Sequence, residues 1–522
     1  MHSSRFATAA LAVAVAGLLS TSALAHRPID PLPSRHGWTV NPAKPPYLAP
    51  SNHASGTWAP LVHSFPGTSF PDTALLLTDG TVIMHDGCTQ DWYKLTPDNT
   101  GSYHKGTWTK TASMPSGYTP LYFASQVLPD GRVIVNGGEY LNCNAVWTKL
   151  GALYDPVADS WTSVPAPTGW NNIGDAQSVI LTNGSYMLAD CCATKEAVAS
   201  ISGTTVTWSA TGSGKADSND EEGWTQLPDT TILTVDANRD LGSDNDVEIY
   251  SESSGAWTTQ AKKTPVVCTD ANSHEIGPAP LLPSGLVFQL CGTPHTAVYN
   301  PLTGMWKAGP DVPNVDGSLD VADGPAAVLP DGNVLFQASP GVFLGGPSHF
   351  FEVAVKNPTH VTMTQVSEPS SAPGINSYEG RMLVLPTGEV LWSSDVGDVE
   401  TYTPKGKPAA NAVPSIKKVK GTITVGSVNN KITGFGFNGL TFGGYYGDDV
   451  QESTNYPLVR ITNTSSGHVC YARTHNPSAS GISDGSLTST KFDVPSSCES
   501  GASSLQVVVN GIASSAKSVT LN

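Results

Sequence analysis

Four carboxylates recur at one register of this 522-residue chain. Nine residues before the second residue of each of seven tight turns stand Pro71, Tyr122, Asp175, Glu221, Ile276, Asp323 and Glu379. Asp72, Glu222 and Glu275 lie beside them. Carboxylates gathered in one place raise one another's pKa or recruit a cation. Three kinds of chemistry follow. Oxygen donors of this type suit a metal ion. A pair such as Asp175 and Glu379 suits acid/base work on a glycan. The third use is structural, since short acids cap turns and accept backbone N–H groups.

An internal repeat is what would bring these positions together. Apolar strand, tight turn and second apolar strand recur at 75–84, 126–135, 179–188, 226–235, 280–289, 327–336 and 383–391. The turns are Asp79-Gly80, Asp130-Gly131, Asn183-Gly184, Asp229-Thr230, Ser284-Gly285, Asp331-Gly332 and Thr387-Gly388, the signature of hairpins that need positive φ. Spacings near 50 residues leave room for four strands per copy. A lone Trp follows five of the hairpins: Trp108, Trp161, Trp208, Trp257 and Trp306. The seventh copy lacks one, and Gly56-Thr57-Trp58 stands instead before the first hairpin. Ring closure by an N-terminal strand explains that displacement, because it removes the open sheet edge. The expected fold is all-β: a seven-bladed β-propeller over 45–408. In such a ring the seven register positions face one mouth of the central channel. Residues 412–522 lack the repeat and read as a small immunoglobulin-like β-sandwich, with strands at Leu458–Ile461, Val469–Ala472, Phe492–Val494 and Leu505–Val509.

Composition agrees. Gly at 51 and Pro at 40 exclude long helices. The net charge of −17 disfavours nucleic acid or an anionic membrane surface as partner. Only 14% of residues are charged, so a concentration of acids at one register stands out. Residues 1–25 carry an Arg5 start, an apolar run from Ala7 to Leu19 and an Ala23-Leu24-Ala25 end, the pattern of a secretory signal. A Pro-rich lead, 26–44, follows. The expected mature protein is extracellular, monomeric and not inserted in a membrane.

Export makes the eight cysteines disulfide candidates: Cys88, Cys143, Cys191, Cys192, Cys268, Cys291, Cys470 and Cys498. Cys470 and Cys498 stand isolated near the C-terminus and are expected to pair. Cys191-Cys192 forms either a vicinal bridge or two separate ones. Asp236-x-Asn238-x-Asp240-x-Gly242, with Asp244 and Asp246 behind it, resembles a calcium loop, although its Gly is one place late. His26 would head the mature chain, where an amine and an imidazole chelate copper.

The hairpins, of broad L-x-D-G-x-V type, combine with Gly447-Asp448-Asp449-Val450-Gln451 through Asn455-Tyr456-Pro457-Leu458-Val459-Arg460, with Cys470-Tyr471-Ala472-Arg473-Thr474-His475 and with Val509-Asn510-Gly511-Ile512. Together these resemble the galactose oxidase and glyoxal oxidase group of secreted kelch-type proteins with a C-terminal early-set domain. The resemblance implies one axial copper held by two Tyr and two His, with one Tyr cross-linked to Cys and shielded by Trp. Tyr122 and Tyr378 match the two Tyr. Glu379 replaces the first His, and His475 is the counterpart of the second. The Cys position is Pro71, and Glu139-Tyr140 stands where the Trp would follow Gly137-Gly138.

Without the thioether, radical alcohol oxidation loses the group that lowers the Tyr potential. The leading expectation is therefore a sugar- or polysaccharide-directed protein whose altered axial site, with Tyr122, Tyr378, Glu379 and His475 as ligands, binds a metal ion. The alternatives are a copper oxidase that oxidises small alcohols or aldehydes and gives hydrogen peroxide, and a non-catalytic adhesion or scaffold protein.

Overall fold

All seven turns close in the same way. In the computed structural model, which describes residues 56–238, 245–315, 317–341, 346–397, 399–449 and 452–522, a Leu opens each turn. Its N–H donates to the carbonyl four residues on, as from Leu77 to Thr81, Leu128 to Arg132 and Leu385 to Glu389. The residue at the second turn position has φ between 73° and 89°, Thr230 included. Glycine meets this demand without strain, whereas Thr230 accepts the left-handed conformation at some cost. The expected signal segment 1–25, the lead 26–44, His26, and Asp240, Gly242 and Asp244 of the calcium-like loop lie outside the described residues.

Among the described residues, seven blade sheets follow one another along the chain, five of four strands, one of three and one of five, and a further small sheet joins Pro120–Leu121, Tyr140–Leu141 and Asn144–Ala145. Neighbouring blades are joined in a circle by hydrogen bonds. Cys88 N–H donates to Pro120 O at 3.2 Å, and Asp323 N–H to Ile276 O at 3.0 Å. Gln126 Nε2 donates to Ser178 O at 3.0 Å, Gln226 Nε2 to Ile180 O at 3.5 Å and Thr225 Oγ1 to Ala279 O at 2.7 Å. Ser377 Oγ donates to Ala322 O at 3.1 Å and Ser393 Oγ to Asp72 O at 3.2 Å. The circle is the propeller. Its seventh blade takes Thr57–Pro60 as outermost strand, paired antiparallel with Val399–Thr403. The displaced Trp58 thus completes that blade, its ring 4.9 Å from Tyr402. Trp161 on Tyr154, Trp257 on Tyr250 and Trp306 on Tyr299 repeat the pair in other blades, which is why a Trp recurs in the sequence.

The C-terminal strands form one hydrogen-bonded path through two layers. Val469–His475 belongs to both: its first half pairs with Leu458–Asn463 and its second with Leu487–Asp493. Ile432 and Phe492 from one layer share a core with Val459, Leu505 and Val507 from the other. All eight cysteines are paired, as Cys88–Cys143, Cys191–Cys192, Cys268–Cys291 and Cys470–Cys498. The adjacent pair is therefore the vicinal bridge. Among the described residues no helix is long and apolar enough to cross a membrane.

This second unit sits on the turn end of the propeller. Thr474 N–H donates to Thr78 O at 3.1 Å and Asn476 N–H to Pro129 O at 2.8 Å. From it a finger enters the channel. Gly444–Tyr445 pairs with Ala326–Val328, the innermost strand of the sixth blade, and Glu452 O receives Gly444 N–H at 3.3 Å on the return. Tyr446 to Asp449 form the described part of its far end.

Because Thr57–Pro60 supplies one quarter of a blade, Trp58→Ala is expected to destabilise the whole ring, by about 3 kcal/mol. Urea denaturation followed by Trp fluorescence should show an earlier midpoint, and an unchanged midpoint would contradict the closure.

Candidate functional site

The far mouth of the channel holds two adjoining groups of residues. The first is acidic. Asp175, Glu221 and Asp448 place one carboxylate oxygen each within 4.8 Å of one another, and so do Glu221, Glu275 and Asp323. Glu221 belongs to both triads. All five residues are buried. The third to sixth blades supply four of these acids and the finger supplies the fifth. Glu221 and Asp323 enter their blades with φ of 60° and 47°, as Tyr122 does with 51°. Non-glycine residues in this region cost of order 1 kcal/mol or more, so the mouth is held by its surroundings in an unfavourable backbone conformation. Burial pushes Asp448 well above the usual carboxylate range, and Asp323, Asp449, Glu221 and Asp175 push it further. Asp449 is lifted to about 7 by burial, against the pull of Arg381.

The second group is centred on Arg381, two residues beyond Glu379. Its guanidinium is 1% exposed and lies 5.1 Å from the Tyr122 ring and 4.2 Å from the Tyr446 ring. It donates to Tyr378 O at 2.6 Å and to Gly380 O at 2.8 Å, and Asp72 stands 3.4 Å away. Asp72 also meets His85 Nδ1 at 3.2 Å, and these two partners hold its carboxyl below the usual range despite burial. Tyr122 donates to Asp395 at 3.4 Å. The Tyr122 and Tyr378 rings are 6.5 Å apart, and burial raises both hydroxyls well above their ordinary range. Tyr140 stands edge-on to Tyr122 at 5.9 Å.

Several expectations change here. His475 does not join Tyr122 and Tyr378. It lies on the strand seated against the turn end, with Nε2 3.1 Å from Asp493 and Nδ1 3.3 Å from Asn476. Thr474 beside it bonds Thr78, six residues along an extended strand from Asp72, so His475 belongs to the opposite mouth. Glu379 turns its carboxylate back onto Asn376 N–H at 2.6 Å and is raised to about 7 by burial. Asp175 and Glu379 thus fall in different groups and do not make an acid/base pair. Glu222 leaves the mouth for Lys215, 3.0 Å away, where Asp217 and Glu248 also converge. Asp236 joins that cluster and Asp246 pairs with Lys263, so the described acids of the calcium-like loop serve lysines.

The residues between the two tyrosines do not fit the copper that the resemblance implies. Among the described residues no His is hydrogen-bonded or in ring contact with either Tyr, the one carboxylate offered in place of His caps a backbone N–H, and a guanidinium already supplies positive charge at the Tyr122 ring. A second cation there would be repelled by Arg381.

Comparison with known proteins gives likenesses of limited reach. No family model matches the chain. A Kelch-like protein, terF, from Aspergillus terreus is 26% identical over 259 residues, 45% of this chain and 54% of the relative. The chain spans about half the length of that curated relative. Among solved structures, a fungal alcohol oxidase of the AA5 family in complex with copper superposes with a TM-score of 0.42 at 15% identity, over 87% of this chain and 85% of that one. A streptogramin B lyase gives 0.45 at 10% identity, over 67% and 98%. The likeness is to kelch-type propellers. It says nothing about the chemistry of the mouth.

Among the residues of the site that the sequence pattern does not announce are Asp448, Asp449 and Arg381. Asp448 and Asp449 belong to a run noticed only for its resemblance, and nothing in a strand-turn pattern announces that a loop will enter a channel. Arg381 was more accessible, since a lone charge between Glu379 and the apolar Met382–Leu385 stands on the innermost strand of a blade.

The raised acids make a pH prediction. Glu452, 3% exposed, is pushed to about 8 and Asp449 to about 7, both by burial. The folded protein therefore holds protons that the unfolded chain gives up near pH 4 to 4.5, and stability falls as pH rises from there through about 8. In chelator-treated protein the melting temperature should drop between pH 5 and pH 8.5, and Glu452→Gln should flatten part of that slope. A melting temperature that rises over this range would contradict the assignment.

Proposed function

We propose that this is an extracellular, sugar- or polysaccharide-directed propeller protein whose axial mouth binds one divalent cation through carboxylates, in place of a copper-radical centre. The observation that carries the reading is the pair of triads sharing Glu221, with ligand oxygens within 4.8 Å of one another. An ion with oxygen ligands at about 2.4 Å holds them no more than about 4.8 Å apart. An independent sign comes from the finger: Asp449 is fully buried and, among the described residues, no N–H donor reaches either of its carboxylate oxygens. An all-oxygen set favours calcium, magnesium or manganese over copper or zinc. Asp448, held up by burial and its acidic neighbours, ionises more readily with a cation present, so binding should strengthen as pH rises.

The extracellular setting is supported by four disulfides and by the signal-like start. The sugar direction is supported by the resemblance to galactose and glyoxal oxidases.

Calorimetric titration of chelator-stripped protein with calcium, magnesium and manganese tests the cation. At least one should bind with unit stoichiometry, and Asp448→Asn should weaken it by about tenfold or more, equivalent to about 1.4 kcal/mol. Absence of binding by all three, or equal binding by the variant, would overturn the site. After incubation with copper, galactose, primary alcohols and small aldehydes should yield no hydrogen peroxide; peroxide release that depends on Tyr122 would restore the oxidase reading.

A further inference from the structure

The C-terminal unit turns one sheet face to solvent. On Asn430–Phe435, Ile432 and Gly434 are buried while Lys431 and Phe435 stand exposed. On Leu487–Asp493 the exposed residues are Leu487 and Lys491. The register of these two strands sets Phe435 opposite Leu487, Thr433 opposite Ser489 and Lys431 opposite Lys491. Alternate residues of a strand share one face, so the three pairs form a strip across it. Phe435 is 41% exposed and Leu487 56%. Across from Thr433 lies Lys418, with Lys417 beside it in a bulge of Ser415–Lys418, and both are exposed.

Two features of the strip do nothing for the fold. Large apolar side chains left in water forgo the gain of burial, and like charges directly opposite on neighbouring strands repel. No acid relieves the repulsion in that row, since the residue beyond Lys491 is His475. The nearest acids along the chain are engaged elsewhere. Asp493 meets Arg473 at 2.9 Å and His475 at 3.1 Å, and Asp484 accepts from Ser486.

The positive charge is local. From Thr401 to Gly447 the chain carries six lysines and no Asp or Glu, although the whole chain stands at −17. Exposed charges more than about 8 Å apart are largely screened at physiological salt. A thin polymer laid on this face therefore meets lysines, whereas an extended anionic membrane would also meet the acidic propeller. The groups present specify the polymer. Ammonium groups and hydroxyls suit carboxylates and sugar hydroxyls, and an aromatic ring beside Leu487 suits the apolar face of a pyranose.

We propose that this face binds an anionic polysaccharide, a polymer of uronate sugars, with Lys431 and Lys491 taking carboxylates and Phe435 and Leu487 packing against ring faces. The proposal rests on the extracellular, polysaccharide-directed reading above and names a polymer class for it. It needs no cation at the axis.

Affinity electrophoresis and calorimetry of the full chain, in chelator, test it with polygalacturonate and alginate. Neutral arabinoxylan, phosphatidylserine-containing vesicles and duplex DNA stand beside them. At low salt at least one polyuronate should bind more tightly than arabinoxylan. Raising NaCl from about 50 to about 300 mM should weaken it about tenfold or more, as released counterions compete. Lys431→Glu with Lys491→Glu should abolish binding. The same charge change at Lys307→Glu with Lys356→Glu, exposed on the fifth and sixth blades, should leave it within a few-fold of wild type. Lys491→Glu alone sets opposite charges in register, so the melting temperature should hold or rise while binding falls. That separates loss of the face from loss of the fold. Phe435→Ala should lose about threefold or more. No binding by either polyuronate, equal loss in the propeller variant, or vesicles or DNA bound as tightly would overturn the proposal. Full polyuronate affinity in the Lys431→Glu, Lys491→Glu variant would overturn this face alone and leave the polysaccharide-directed reading standing.

Discussion

A ring of antiparallel sheets has one requirement that no single blade can meet: its first and last edges must find each other. Here the strand Thr57–Pro60 meets it by pairing with Val399–Thr403. Once the ring is closed, the innermost strands have nowhere to go but around a channel, and their starts converge at one mouth. The repeat sets only the register. Closure turns a register along the chain into a neighbourhood in space, and that is why Asp175 and Asp323, drawn from the third and sixth blades, both gather around Glu221 of the fourth.

A channel lined by seven strand starts is wider than the side chains of the blades fill, and here the second unit fills it. The finger is tied to the sixth blade by backbone pairing at Gly444–Tyr445, and its passage is tight. A Cβ on Gly447 would lie 2.1 Å from Asp323 Oδ1 and 2.9 Å from Ile276 O. The same contact that seats the finger thus delivers Asp448 to Glu221. Packing and charge are coupled at this point: the ring cannot accept the finger without also accepting its carboxylates. The cost of gathering them is visible in the rise of Asp448 and Asp449.

How much of this was legible in the chain follows from the range of the forces involved. Turn chemistry is local, so all seven hairpins could be read from Leu and Gly positions, and even Thr230 keeps the φ of the glycine it replaces. The Trp repeat marks a cross-strand contact with Tyr, also nearly local, and its displaced seventh member gave away the closure. The acidic register was readable for the same reason. What one position beyond the strand start does was not. Glu221 points into the mouth and Glu222, its neighbour, into the Lys215 cluster, because the chain turns at Glu221 through a left-handed φ of 60°. His475 was misplaced by the same limit: spacing along the chain says that a loop exists, not which end of a channel it reaches.

The Arg381 group shows why the lost copper ligands do not leave a vacancy. A guanidinium buried at 1% exposure is tolerated only if its charge is met, and here Asp72 and Asp395 stand near it, shifted in opposite directions. Asp72 stays ionised, held low by His85 and Arg381. Asp395, beside Tyr122, is raised well above the carboxylate range, by burial first and then by Asp72. Asp72 thus answers the cation, with two aromatic faces and two carbonyls packed around it. Removing Arg381 would strand Asp72 in a buried site, and adding a metal would strand Arg381. The tyrosines that match copper ligands by position are held by a cation that is part of the chain, whereas beside them carboxylates gather around Glu221.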